Sequence, residues 1–96
     1  MLFRSEGLAT RTAFELPQRI LQRWLDDFVL VSDDEIRVAQ ALMIETTRNL
    51  IEAAGAAPLA AVLRMREQLA GRRVALVASG GNVTREQLLA VLTGGA

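Results

Sequence analysis

The chain has 96 residues, enough for one domain but one that buries only about 60 to 65 per cent of the surface its unfolded form exposes. Eleven acidic residues balance eleven basic ones, so no overall field draws the chain to nucleic acid or to anionic lipid. The absence of Cys excludes disulfides and thiolate metal sites, and the absence of His removes the commonest metal ligand and general base, so no metal site is expected. All eleven basic residues are Arg, and a guanidinium stays protonated and supplies no amine nucleophile.

Apolar residues make up 51% of the chain but aromatic residues only 4%. One Trp and three Phe are few anchors for a self-sufficient small core, and the composition points to neighbours that the chain does not contain. The apolar runs fall well short of the roughly 20 residues of a membrane span. Arg4 and Glu6 leave no signal-peptide core behind Met1. A cytoplasmic protein without membrane contact is expected.

In chain order, residues 1–12 show no clear period, and Gly7 marks a turn or a close backbone approach. From Phe14 a short amphipathic helix is predicted, with Pro17 in its first turn and Ile20, Leu21, Trp24 and Leu25 at spacings of three and four. Asp26 and Asp27 end that pattern before FVLV, residues 28–31, which reads as an interior strand. Ser32 and Glu35 fit a capping box, and the helix after them has Ile36, Ala39, Leu42 and Met43 on its core face and Arg37, Gln40, Glu45 and Arg48 elsewhere. In AAGAAPLAAVL, Gly55 and Pro58 are expected to punctuate before helical spacing resumes over 59–69 and stops at Gly71.

VALVA, residues 74–78, is continuously apolar, as suits a parallel strand covered on both faces. Ser79, Gly80, Gly81 and Asn82 form a sharp turn, and Thr84 with Gln87 repeats the capping pattern before a last helix. The order implies an α/β, helix-rich fold with two or three short strands, an incomplete parallel sheet that needs further strands to satisfy its edges. With no repeat or linker, 1–96 reads as a single partial domain with a frayed tail at 94–96.

A turn at the carboxyl end of a parallel strand is where open α/β sheets place ligands. Two glycines let a flat ligand approach the backbone at SGGN, and the Ser79 hydroxyl is able to donate to or accept from a ring heteroatom. A simple glycine turn explains the same residues. The acidic run Asp33, Asp34 and Glu35 is read as the first turn of a helix rather than a cation site. Arg64, Arg66, Arg72 and Arg73 are read as a solvated face and a strand entry, and Ala56, Ala57, Ala60 and Ala61 as a surface for close helix packing.

Taken together, EGLA (6–9), LDDFVLVSDDEI (25–36), IEAAGAAPLAAVL (51–63) and VALVASGGNV (74–83) resemble the C-terminal segment of the threonine dehydratase and serine racemase family, the fold-type II pyridoxal-phosphate enzymes. The resemblance implies an enzyme that removes the α-proton of threonine or serine, expels the β-hydroxyl and yields a 2-oxo acid and ammonia. It gives Ser79 the contact to the pyridine nitrogen of pyridoxal phosphate, followed by Gly80 and Gly81, and it places Gly7 against one face of the ring. A neutral hydroxyl leaves that nitrogen largely unprotonated, which suits β-elimination over transamination.

Glu52 matches an acidic residue near the family's cofactor pocket, although a solvated carboxylate at a helix end is the equal alternative. Glu6 stands where the family usually has Asp, and Ala53 where it commonly has Pro. Asn82 is expected to bond its own backbone in the turn. The Schiff-base lysine and the glycine-rich phosphate cradle belong upstream in the family, so the resemblance assigns no catalytic residue to this chain. Its expected partner is the remainder of the catalytic domain or a complementing chain, within a homo-oligomer. A stand-alone or split-protein binding module derived from the same fold is the other reading.

Overall fold

The computed structural model describes residues 14–94, over which four helices follow one another: α1 (Glu15–Trp24), α2 (Asp33–Thr47), α3 (Ala53–Arg64) and α4 (Arg85–Leu92). Gly7, the rest of the segment 1–12, and Gly95 and Ala96 of the expected tail lie outside the described residues.

Both capping boxes form. The Ser32 hydroxyl accepts from the Glu35 N–H at 3.1 Å and the Glu35 carboxylate accepts from the Ser32 N–H at 2.9 Å, so α2 starts with two of its free donors satisfied. Thr84 and Gln87 repeat the arrangement at 3.1 and 3.0 Å to open α4. At its other end α2 stops at Arg48, whose left-handed φ of 60° turns the chain towards α3.

The core lies between α2 and α3. Ile36 and Ala39 of α2 meet Ala56 and Ala60 of α3, with Val31, Ile51 and Leu63 around them. Small side chains let these two helices come together, as the alanine pattern predicts. α2 also packs against α4, in which Val91 is buried.

Four expectations need correction. Gly55 and Pro58 do not break the helix; both lie inside α3. Pro58 removes the donor that would meet the Ala54 carbonyl, but burial of Ala56 and Ala60 against α2 outweighs that loss and carries the helix through. The continuation to residue 69 is not helical either, because α3 gives way to turns after Arg64 that end at Gly71 with φ of 78°.

Gln40, expected on the polar side of α2, is buried, and its amide finds a partner across the helix pair. Finally, neither 28–31 nor 74–78 forms a strand, and among the described residues there is none. Both segments run without a neighbour to complete a ladder, and a strand with two free edges satisfies none of its backbone donors and acceptors. Phe28 is 70% exposed and Val77 76%.

Arg64 does more than cover a solvated face. Its Nε donates to Glu35 Oε2 at 2.8 Å, a second guanidinium nitrogen reaches Glu35 Oε1, and a third contact goes to the Leu30 carbonyl. One side chain thus ties α3 to the start of α2 and to the segment before it. The Ser32 N–H, followed by the Arg64 guanidinium, holds the Glu35 carboxyl below the usual carboxylate range.

α1 forms where the periodicity puts it but packs against none of the other three helices. Leu16, Ile20 and Trp24 on its apolar side are exposed, and Arg23 lies over the Trp24 ring at 5.0 Å. No helix among the described residues is long and apolar enough to cross a membrane.

Candidate functional site

The SGGN turn is held by the entry of α3. The Glu52 N–H donates to the Gly80 carbonyl at 3.0 Å, and the Val83 N–H closes the turn on the Gly81 carbonyl at 2.8 Å. Glu52 is the residue preceding the first turn of α3, and its side chain makes no capping bond there. Its carboxylate lies instead over Gly80, where it occupies the space that a Cβ would need.

Gly81 is fixed by backbone alone, because a Cβ there would stand 2.6 Å from the Leu50 carbonyl oxygen. From the α3 side, a Cβ on Gly55 would lie 3.2 Å from the Gly80 oxygen and 3.3 Å from the Ser79 nitrogen. Gly81 and Gly55 therefore face close backbone, whereas Gly80 faces the Glu52 side chain.

Of the residues singled out from sequence, Ser79, Gly80, Gly81 and Glu52 are brought together here. Gly7 lies outside the described residues. Leu50, Gly55 and Gln40 were not read as part of the site. Gly55 carries a signal in hindsight, since glycine inside a helix is costly unless a close approach demands it. The expected self-bonding of Asn82 does not occur: its side chain is exposed and makes no hydrogen bond among the described residues, and the turn is closed by backbone groups.

The Ser79 hydroxyl is exposed and makes no hydrogen bond among the described residues, so both its donor and its acceptor capacity are available. On the side where a Cβ would point, Gly80 faces the Glu52 side chain and Gly81 the Leu50 carbonyl. The donor set suits contact with one heteroatom of a planar ring. With no Lys in the sequence, it does not suit covalent attachment of a carbonyl cofactor. Among the described residues no group of three or more acidic side chains is placed to hold a metal ion.

The family model described as pyridoxal-phosphate dependent enzyme matches residues 3–80, and the chain belongs to that family. Its curated relatives include the L-threonine ammonia-lyase of Geobacter sulfurreducens, 36% identical over 92 residues, which is 95% of this chain and 23% of that protein. The L-threonine ammonia-lyase of Thermotoga maritima is 33% identical over 79 residues, 82% of this chain and 20% of the relative. The L-threo-3-hydroxyaspartate ammonia-lyase of Saccharomyces cerevisiae is 27% identical over 90 residues, 94% of this chain and 28% of the relative. The chain therefore spans between about a fifth and somewhat over a quarter of the length of the relatives it matches. No solved structure matches it.

Proposed function

We propose that the chain is the C-terminal part of the catalytic domain of a pyridoxal-phosphate dependent threonine or serine ammonia-lyase, and that Ser79 provides the contact to the ring nitrogen. The observation that carries this reading is the free Ser79 hydroxyl on a turn clamped by Leu50, Glu52 and Gly55, in a chain of a pyridoxal-phosphate dependent family. When bound, that cofactor supplies the electron sink that lets a hydroxy amino acid lose its α-proton and its β-hydroxyl.

The chain's own share is binding and orientation. The Ser79 hydroxyl, neutral over the working pH range, accepts from or donates to the nitrogen without fixing a proton there. Gly80 and Gly81 allow the turn to sit tightly against the start of α3, and the Glu52 carboxylate lies beside Gly80, near the ring in this reading. Gly7 completes the ring's surroundings in this reading, on family resemblance alone.

The remaining segments find their purpose in neighbours. Residues 28–31 and 74–78 take places in the parallel sheet of a fold-type II large domain, and the apolar side of α1 is covered by the same remainder. The exposure of Phe28, Trp24 and Val77 supports that reading over a stand-alone module. The partner is the rest of the catalytic domain or a chain that complements this one, in a cytoplasmic homo-oligomer, with threonine or serine as substrate. Without the amine, the chain alone has no dehydratase activity.

Replacing Ser79 by Ala in the native protein tests the assignment. The absorption of the bound cofactor should change and 2-oxo acid formation should fall. An unchanged spectrum and rate would remove Ser79 from the site. Formation of 2-oxobutyrate from threonine by the pure 96-residue chain would overturn the division of labour.

A further inference from the structure

The hydrogen bonds behind the turn form a line that starts in the core. Gln40 of α2 is only 4% exposed, and its Nε2 donates to the Ile51 carbonyl at 2.8 Å. The Ile51 carbonyl and the Glu52 N–H are the two ends of a single peptide group, which resonance keeps planar, so one does not rotate without the other. That N–H in turn donates to the Gly80 carbonyl at 3.0 Å, and Gly80 directly follows Ser79.

An amide at position 40 is not explained by packing. Gln40 is buried on the same helix as the core residues Ile36 and Ala39, and an apolar side chain of similar length is buried there without the cost of polar atoms. What the amide adds is a donor to one carbonyl. A bond to a peptide's oxygen polarises the group and strengthens its N–H as a donor, so the Gln40 and Gly80 bonds support each other.

We propose that Gln40 is a positioning residue that holds the Ser79 hydroxyl in place for the cofactor ring, acting through the Ile51–Glu52 peptide and the Gly80 carbonyl. The proposal rests on the cofactor contact assigned to Ser79 above. Gln40 itself touches neither cofactor nor substrate.

The test uses the native protein with its bound pyridoxal phosphate and the variant Gln40→Met, which keeps the length of the side chain and loses the donor. Backbone amide exchange at Glu52 should accelerate by about tenfold, the equivalent of one lost hydrogen bond, while the amides of Ala39 and Ala60 keep their rates. The cofactor absorption should shift in the same sense as in Ser79→Ala. Unchanged exchange at Glu52, or equal acceleration at all three amides, would overturn the proposal, the second outcome marking a loss of packing only.

A second variant covers the case in which Gln40→Met does not fold. Gln40→Glu donates to Ile51 when its carboxyl is protonated and not when it is ionised. Excess exchange at Glu52 over Ala39 and Ala60 should then appear only as that carboxyl ionises, and its absence at every pH contradicts the proposal. If Ser79→Ala leaves the cofactor spectrum unchanged, the role of Ser79 fails; if Ser79→Ala shifts it and the Gln40 variants do not, the positioning role alone fails.

Discussion

The Glu52 N–H and the Gly80 carbonyl, 3.0 Å apart, join the start of α3 to the turn that carries Ser79. The bond brings two backbones so close that glycine is required on both sides of it, and the three glycines are not equally replaceable. A Cβ on Gly80 meets the far end of the Glu52 side chain, which is free to swing aside, whereas a Cβ on Gly81 meets the Leu50 carbonyl at 2.6 Å. Gly81→Ala should therefore cost about 1 to 3 kcal/mol, as overpacking does, and Gly80→Ala distinctly less. Denaturant unfolding of the two variants checks the order, and equal costs would mean that Glu52 is as rigid as the backbone.

Gly55→Ala sets two effects against each other. Alanine favours a helix interior by about 1 kcal/mol over glycine, yet the added Cβ lies 2.9 Å from Ile51 Cγ2 and within 3.3 Å of the Ser79–Gly80 backbone. The neighbours on the turn are backbone atoms with little freedom, so the expected outcome is a loosened turn with α3 intact. Circular dichroism should show unchanged helix content while amide exchange at Glu52 rises.

The pH dependence of stability should include a contribution from Glu35. Its carboxyl is held below the usual range first by the Ser32 N–H and then by Arg64. A depressed folded-state pKa adds stability that is fully present above the ordinary glutamate range and is lost as pH falls through the depressed value. Glu35→Gln should flatten the acid limb of the stability profile, and Arg64→Met should flatten it in part while leaving the Ser32 cap in place. A profile unchanged by both substitutions would contradict the ion pair.

Loss of the Thr84 cap should loosen the helix that follows the site. Thr84→Ala removes the acceptor that takes the Gln87 N–H at 3.1 Å, with a cost of about 1 kcal/mol. Among the four helices α4 contacts only α2, and its Val91 is buried. Faster amide exchange over α4, with α3 unaffected, is the expected result.

Elements whose stability is local were legible in the sequence. Ser32 with Glu35, and Thr84 with Gln87, satisfy each other within one helical turn, so the spacing alone placed the starts of α2 and α4. The alanines of α3 announced close packing. What depends on distant partners was not legible. A helical wheel puts Gln40 on a polar side, because nothing within α2 tells that the Ile51 carbonyl waits eleven residues on. Arg64 is likewise a solvated cation until Glu35 and Leu30 are folded beside it. Gly55 and Pro58 read as punctuation, since their local preferences oppose helix and only the contact with α2 overrides them. FVLV and VALVA show the converse: their residue types favour strand, but a strand needs a neighbour and none is present among the described residues.

The exposed side of α1 offers a prediction that separates the isolated chain from its native setting. Ile20 and Trp24 are 52% and 71% exposed, so Ile20→Glu should change the stability of the 96-residue chain by no more than about 0.5 kcal/mol and should reduce its self-association and dye binding. In the native protein the same substitution should be strongly destabilising if the proposed remainder of the catalytic domain covers the side chain. Equal tolerance in both settings would leave α1 without a partner.

The most direct measurement is the composition of the native species, isolated from the source cell with an antibody raised against this chain. The predicted result is an assembly whose polypeptide mass is several times 10.5 kDa and which carries bound pyridoxal phosphate. A free species of 10.5 kDa without the cofactor would contradict the assignment of Ser79 to a pyridoxal-phosphate site.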